Sequence, residues 1–448
     1  MNTVLPLADF DQVDPATLEA ILDQHIKTIN QTIKAVCAEE QPTWATTIAK
    51  LDEAFDALNS FWSPVSHLNA VKQSEALRNA YEPCIPKLSE LYTRMGQNEA
   101  LFSVYQSLAD SDEYLQYSPA QKATIKKALR DFELSGVALP ADKKAQFATL
   151  SSELSQLANQ FSNNVLDATQ AWYYHTDKVD DLAGIPDSAL ALFEQQAQAR
   201  SQTGYVVTLD FPCYFPVLQF ADNRELRQAV YRAYATRASA LSQDLDGHID
   251  AQFDNTQIMK TLLEKRQALA QLLDFDNFAE LSLAKKMANN VPEVMDFLSL
   301  LADKSRPAAE KEFAELCEFA KELDGIADLQ AWDMSYYSEK LKEQRYSLNQ
   351  EQVKAYFPYP KVVSGLFSIV SKLLALRIEA DESVATYHED VCFYRVFDQQ
   401  NTLIAGFYLD PYARQQKRGG AWMNDFSSRH QTSSQLQLPV AYLTCNFT

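Results

Sequence analysis

The sequence predicts a mainly α-helical fold, in which a large multi-helix body is followed by a small β-sheet near the C-terminal end. Glycine accounts for only 10 of the 448 residues, and a chain with so few permissive residues is most easily built from long helices. Apolar residues recur at three- and four-residue spacing as far as Leu376, whereas aromatic and β-branched runs follow it. The first pattern is typical of helices and the second of strands.

These patterns divide the chain into three predicted regions. We expect an N-terminal helical region over residues 1–135, a helical main body over 136–376, and a β-rich segment over 377–448. The length is also compatible with one large helical body. Hydrophobic residues make up 46% of the chain, which is enough for a substantial core and argues against disorder.

The clearest predicted helix follows Pro140, since proline suits the first turn of a helix. Residues three and four apart then form one apolar stripe, namely Phe147, Leu150, Leu154, Leu157 and Phe161. Such a stripe can mark a coiled-coil partner, but packing within the same domain is the favoured interpretation.

Four strands are predicted after Leu376. The runs "VCFYRVF" from Val391 and "TLIAGFYL" from Thr402 flank "DQQN" and indicate a β-hairpin. The runs "GAWMNDF" and "PVAYLTCNF" predict two further strands. Because the sequence stops at Thr448 directly after an apolar strand, whose uncovered edge would invite aggregation, we expect a truncated form of a longer protein.

Charge and composition narrow the functional classes. The formal net charge of -20 disfavours nucleic acid, since its binding proteins need a basic face. The N-terminus lacks the basic and apolar regions of a secretory signal, and the most apolar run, from Val362, is too short to span a bilayer. Six scattered cysteines without a C-x-x-C pair are interpreted as buried thiols of a reducing compartment. The predicted location is cytoplasmic, without a membrane partner.

No complete active site is visible in the motifs. A zinc peptidase helix needs H-E-x-x-H, which places two histidines on one helical face. Only His388 is followed by Glu, and Cys392 stands where the second histidine would be, so a solvated loop histidine is the favoured interpretation. The other histidines are His25, His67, His175, His248 and His430. No catalytic residue and no metal ligand is therefore predicted in this chain.

One stretch combines glycine with positive charge in this acidic, glycine-poor chain. The segment "GFYLDPYARQQKRGGAW" contains three of the ten glycines and the basic residues Arg414, Lys417 and Arg418. These cations could hold an anion beside the backbone of Gly419 and Gly420. The alternative, a structural turn with solvated charges, is favoured.

Several blocks of the sequence are similar to the thimet oligopeptidase / oligopeptidase A family of zinc metallopeptidases. They are "NRELRQAVYRAYATRAS" from Asn223, "KRQALAQLLDFDNFAELSLAKKMA" from Lys265, "LQAWDMSYYSEKLKEQRYSL" from Leu329, "YFPYPKVVSGLF" from Tyr356, and the glycine-containing segment above. These blocks follow the family order, and the resemblance covers essentially the whole chain.

The resemblance implies a cytosolic zinc-dependent metalloendopeptidase that hydrolyses short peptides and is a monomer when intact. In that family an H-E-F-G-H helix and a later Glu hold the zinc, and neither has a counterpart here. The chain is thus expected to be the N-terminal two-thirds of such an enzyme and to be inactive alone. The alternative is a non-catalytic helical protein that binds peptides or a partner.

The resemblance also implies a substrate site. In related enzymes a sheet edge before the zinc helix pairs antiparallel with the extended substrate backbone. On this basis Gly419, Gly420, Ala421 and Trp422 are predicted to bind substrate, because glycine lets another backbone approach closely. The outward amide and carbonyl groups of Gly420–Trp422 should then lack partners within the chain. A purely structural turn leading into a strand is the alternative.

Overall fold

The computed structural model describes residues 2–244, 251–432 and 435–447, so His248 and Thr448 lie outside the described residues. Helices occupy most of the chain up to Leu374, and the prediction of a mainly α-helical fold is confirmed. The α-helices are α1 (Leu18–Cys37), α2 (Ile48–Val71), α3 (Glu75–Tyr81), α4 (Cys84–Gly96), α5 (Glu99–Ala109), α6 (Asp112–Gln116), α7 (Pro119–Leu134), α8 (Ala141–Ala171), α9 (Asp187–Ala199), α10 (Phe211–Phe220), α11 (Arg224–Thr236), α12 (Thr256–Leu272), α13 (Phe278–Leu283), α14 (Val291–Asp324), α15 (Met334–Tyr346), α16 (Gln350–Lys354) and α17 (Tyr359–Leu374).

Local sequence signals explain where several helices begin. Ser118 caps α7 through a capping box with Gln121, and Pro119 occupies the first turn, where a missing amide hydrogen costs nothing. The side chain of Asn290 caps α14 by accepting a hydrogen bond from the amide of Glu293. Both caps satisfy amide donors that the helix itself leaves free.

The stripe of α8 packs inside the chain, as expected. Phe147 and Leu150 are buried against Leu272 of α12, so the interpretation as a helix packed within its own protein is confirmed. Further along the same stripe, Phe161 lines an open cleft. The helix therefore buries one end of its apolar face and presents the other to a cavity.

Most of the β-structure lies after α17, and the rest comprises three short strands. The strands are β1 (Asn2–Val4), β2 (Tyr173–Thr176), β3 (Tyr205–Thr208), β4 (Arg377–Ala380), β5 (Cys392–Phe397), β6 (Leu403–Tyr412), β7 (Trp422–Ser427), β8 (His430–Gln431), β9 (Gln435–Gln437) and β10 (Val440–Phe447). The main sheet has the order β4-β5-β6-β10-β7. Strands β5 and β6 form the expected antiparallel hairpin, and β7 and β10 are the two further strands. Because β10 runs parallel to β6 and antiparallel to β7, the sheet is mixed.

The N-terminal helices and the C-terminal sheet share one core. Phe10, which precedes α1, packs edge-on against Tyr387 and Tyr408 with ring centroids 5.0 and 5.4 Å apart. The amide of Ala8 donates to the hydroxyl of Tyr408 at 3.2 Å. The three-region division of the chain stays a prediction, but its first and last regions pack on each other.

The thiols are less buried than predicted. Cys84 and Cys213 are buried, whereas Cys392 is exposed and the remaining three are intermediate. In β5 the side chains alternate, and Phe393 takes the core face at 2% exposure, which leaves Cys392 on the opposite face. None of the described helices combines the length and apolarity that a membrane span requires.

Candidate functional site

A cleft of about 860 Å³ lies between the helical body and the loop that leads into β7. Its helical side comes from α2, α8 and the start of α10, and its other side from residues 413 and 417–421 together with the end of β10. The volume falls within the ~300–1,000 Å³ range of natural ligand sites. Many lining groups are neutral amides, including Asn69, Asn159, Asn163 and Asn446, which can both donate and accept hydrogen bonds.

Three of the four predicted substrate-binding residues line this cleft. Gly419, Gly420 and Ala421 form part of its wall, and Trp422 begins β7 directly after them. An added Cβ at either glycine would meet nothing within 4 Å, so no atom of the chain itself occupies the space beside them. Gly420 has φ of +97°, a conformation that other residues adopt only at a cost.

Strand β7 forms an edge of the main sheet. It pairs with β10 from Trp422 opposite Thr444 to Ser427 opposite Val440, and no other described strand pairs with its outer side. The last part of this outer side is covered by α2, since Asn59 donates to the carbonyl of Phe426 at 3.0 Å. The beginning of β7, next to the cleft, is the uncovered part.

The Gly420 carbonyl already has a partner within the chain. It accepts a hydrogen bond from the side chain of Asn446, which also donates to the carbonyl of Arg418 at 3.1 Å. Asn446 belongs to β10, the strand on the inner side of β7. This carbonyl is thus tied to the sheet, and the outer groups from Trp422 to Asn424 are those open to pairing.

The basic residues of the glycine-containing segment correct the sequence interpretation. Arg414 and Lys417 are neither solvated nor open to a ligand, because both pair with Asp410. The guanidinium of Arg414 donates to the two Asp410 oxygens at 2.7 Å each, and the Lys417 ammonium donates to Oδ1 at 2.8 Å. The Lys417 side chain is 0% exposed and that of Asp410 is 1% exposed. Only Arg418 projects into solvent, with its guanidinium 5.9 Å from the ring centre of Trp422.

This buried cluster, consisting of Asp410, Arg414, Lys417 and Tyr387, is held by charge-assisted hydrogen bonds. Tyr387 adds a fourth donor to Asp410 at 2.7 Å. Burial alone would raise the pKa of the Asp410 carboxyl, but the bonds from Arg414, Lys417 and Tyr387 outweigh it and hold that pKa below its ordinary value. Burial also lowers the pKa of Lys417, although its bond to Asp410 opposes this shift. The pairing offsets the cost of taking three charges out of water.

The cluster fixes the cleft-lining loop onto the end of α2. Arg414 also donates to the carbonyl of Val71 at 3.0 Å. The amide of Arg418 donates to the carbonyl of Ala70 at 2.8 Å. A third bond joins the amide of Gln73 to the carbonyl of Gln416 at 3.3 Å. The glycines are therefore held in place by a rigid attachment rather than lying in a free loop.

Asp410 is not among the residues predicted from the sequence to form a site. The available signal was an acidic residue that follows the apolar run "AGFYL" and precedes basic residues at positions four and seven further on. A carboxylate inside an apolar strand is expected to be paired, but its partner could not be identified from spacing alone.

No metal centre is formed by the described residues. They contain no group of three or more His, Cys, Asp and Glu side chains that could hold an ion. His388 lies in a loop, as predicted, where its Nδ1 accepts from the amide of Asp390 at 3.2 Å.

Comparison with known proteins identifies relatives over the whole chain. The family model for the N-terminal domain of neurolysin and thimet oligopeptidase matches residues 20–144. Oligopeptidase A of Escherichia coli (strain K12) is 44% identical over 447 residues, which cover 99% of this chain and 65% of that protein. Organellar oligopeptidase A of Arabidopsis thaliana is 36% identical over 455 residues, covering 98% of this chain and 56% of that protein.

The fold is shared with a solved structure from Bacillus anthracis str. Ames, at a TM-score of 0.51 and 13% identity over 95% of this chain and 61% of that one. This chain thus spans less than two thirds of its relatives' length. The model of peptidase family M3 matches residues 217–448, just over half of the chain. The resemblance found in the sequence is confirmed, and the chain belongs to peptidase family M3.

Proposed function

We propose that the chain forms the peptide-binding wall of a zinc-dependent oligopeptidase that cleaves short peptides in the cytoplasm as a monomer. Membership of peptidase family M3 and the similarity to oligopeptidase A support the substrate class. The printed sequence contains no H-E-x-x-H motif. Hydrolysis is therefore proposed to need residues beyond these 448, and this chain supplies binding and orientation.

The observation that carries the proposal is an open sheet edge beside a cleft. The uncovered start of β7 continues from Gly419, Gly420 and Ala421, which line the cavity. An extended peptide placed there can add a strand to the sheet through backbone hydrogen bonds. Because every peptide carries the same backbone groups, such a site accepts varied sequences.

The geometry beside the glycines suits this mode of binding. Since a Cβ at Gly419 or Gly420 would meet nothing within 4 Å, the chain leaves room for another backbone. The neutral amides of Asn69 and Asn159 line the same cavity and can bond the peptide groups that point away from β7. The cleft therefore offers partners on both sides of an extended chain.

Gly419→Ala tests the proposal without disturbing the fold. The new methyl group meets no atom of the chain and Gly419 has no positive φ, so stability should stay within about 0.5 kcal/mol of the parent protein. A peptide backbone in close contact would be displaced, at ~1 kcal/mol for one added carbon, or about fivefold in affinity. Fluorescence anisotropy with a labelled peptide of about eight residues measures the change.

Gly365→Ala on α17 is the matched control. Its added methyl group also meets nothing within 4 Å, and Gly365 does not line the cleft. Peptide affinity should be unchanged in this variant. Equal affinities of the parent protein and Gly419→Ala would contradict the edge-pairing proposal. Gly420 is less suitable for the test, because its φ of +97° makes any side chain there strained.

A further inference from the structure

The side chains that line the cleft differ in charge from the rest of the protein. The whole chain carries a formal net charge of -20. Among the described residues that line the cleft, the basic side chains open to it are Arg237 and Arg418, and the one acidic residue is Asp210; the Lys417 side chain is buried against Asp410. A locally basic cavity in an acidic protein indicates a ligand that carries negative charge.

The buried cluster adds a positive charge beneath the glycines. It contains two cations, Arg414 and Lys417, and one carboxylate, Asp410, and the described residues show no other ion pair to either cation. One unit of charge is thus left without an anion next to the Gly419–Gly420 wall. The free-energy cost of burying this positive charge falls when an anion approaches from the cleft.

Arg418 is the basic residue placed to meet such an anion directly. It is exposed, lines the cleft and has no ion pair among the described residues. Its backbone is fixed by the bond from its amide to Ala70 and by the bond from Asn446 to its carbonyl. The guanidinium is held near Trp422, and its remaining donors are free to bind a carboxylate in a bidentate manner.

Arg237 supports the same charge preference from the opposite wall. Its guanidinium stacks 3.8 Å above the ring of Tyr234 and bonds the carbonyl of that residue. Its buried Nε has no hydrogen-bond partner among the described residues. Burial raises the pKa of the Asp210 carboxyl, the one acidic group among the described lining residues.

We infer that Arg418, beside Gly419 and Gly420, binds a carboxylate of the peptide in the cleft. The inference rests on the proposed peptide-binding function and adds a charge preference to it. Either the C-terminal carboxylate or an acidic side chain could supply the group. The chemistry is the same for both, and the test distinguishes them.

Four labelled peptides of one length provide the test. They carry either a C-terminal carboxylate or a carboxamide, and either Glu or Gln at one internal position, with the fluorophore at the N-terminus. Fluorescence anisotropy gives their affinities for the 448-residue protein. A charge-assisted bond predicts about tenfold tighter binding of the peptide form that supplies the anion. The preference should shrink as ionic strength rises, because the site is partly open to solvent.

Arg418→Gln should reduce this preference to about twofold or less, while affinity for the peptide with neither carboxylate changes little. The control is Arg429→Gln, since Arg429 is equally exposed but does not line the cleft. The control should keep the parental preference.

Equal binding of all four peptides by the parent protein would overturn the inference, as would a preference that survives Arg418→Gln. In both cases the proposed peptide binding itself would stand. Failure of all four peptides to bind would instead overturn the proposed function.

Discussion

Helix α1 in the core and helix α17 contain similar apolar stripes, but the stripe of α1 is buried and that of α17 is exposed. In α1 the residues Leu22 and Ile29 are 0% exposed, because the helices α2 to α5 pack against α1. In α17 the stripe runs through Leu366, Ile369 and Leu373, which are 54%, 59% and 78% exposed. A stripe thus predicts a helix and its apolar face, but contacts with the rest of the fold decide whether that face is buried.

The same contrast applies to charged side chains. In the core, Asp410 is 1% exposed and holds two cations. Between α14 and α15 an ion pair lies at the surface, since the side chains of Glu315 and Arg345 are 41% and 43% exposed. Water screens the exposed pair of Glu315 and Arg345 but not the buried pairs of Asp410.

Loss of the Asp410 carboxylate should give the largest difference between the two regions. Asp410→Ala leaves Arg414 and Lys417 buried without an anion, at a cost of about 3–5 kcal/mol in the free energy of unfolding. Glu315→Ala should cost less than about 1 kcal/mol. Urea unfolding followed by circular dichroism measures both. Similar losses in the two variants would show that burial does not set the energy of these pairs.

Truncation of one leucine in each region should give a smaller difference. Leu22→Ala removes a fully buried side chain and should lower the free energy of unfolding by about 2–5 kcal/mol. Leu366→Ala removes a half-exposed one, and we expect a change within about 0.5 kcal/mol. Thermal unfolding of the two variants under one buffer condition provides the comparison. A large loss for Leu366→Ala would mean that this face of α17 is covered in solution.

Stability should also depend on pH through His67, which lies in the core. Its ring is 2% exposed and stacks on Tyr442 at 3.9 Å, and neither ring nitrogen has a hydrogen-bond partner among the described residues. Burial, with smaller contributions from Arg414 and Lys417 that Asp410 opposes, lowers the pKa of His67 from 6.5 to about 3. The folded state therefore keeps His67 neutral at pH values where the unfolded chain protonates it.

The sign of the effect follows from this lowered pKa. The stabilisation is complete above pH 6.5 and is lost as pH falls toward 3, at about 1.4 kcal/mol per pH unit. His67→Phe removes the titrating group, so its unfolding free energy should fall less steeply between pH 6 and 4 (a range of about two units). Denaturant titrations at several pH values compare the slopes. Parallel curves for the two proteins would exclude His67 as a source of acid sensitivity.

Much of the fold could be predicted because the signals are local. The helix after Pro140 follows from residues within a few turns of one another, and the β5–β6 hairpin follows from two apolar runs separated by the four residues "DQQN". The family was recognisable from blocks spread along the chain. In the candidate site, Gly419, Gly420 and Ala421 were singled out by that resemblance, and the structure places all three along one cleft. Their role in binding stays a prediction.

What the sequence by itself determined was the succession of elements, the change from helices to strands after Leu376, and membership of the family. Only the tertiary structure decided that β10 lies between β6 and β7, which makes β7 an edge. It also decided that Arg414 and Lys417 are buried around Asp410, leaving Arg418 as the exposed cation of that segment. The physical reason is that strand order and charge burial depend on elements far apart in the chain. The bond from Arg414 to Val71 of α2 spans 343 positions, and no pattern within a single segment records such a contact.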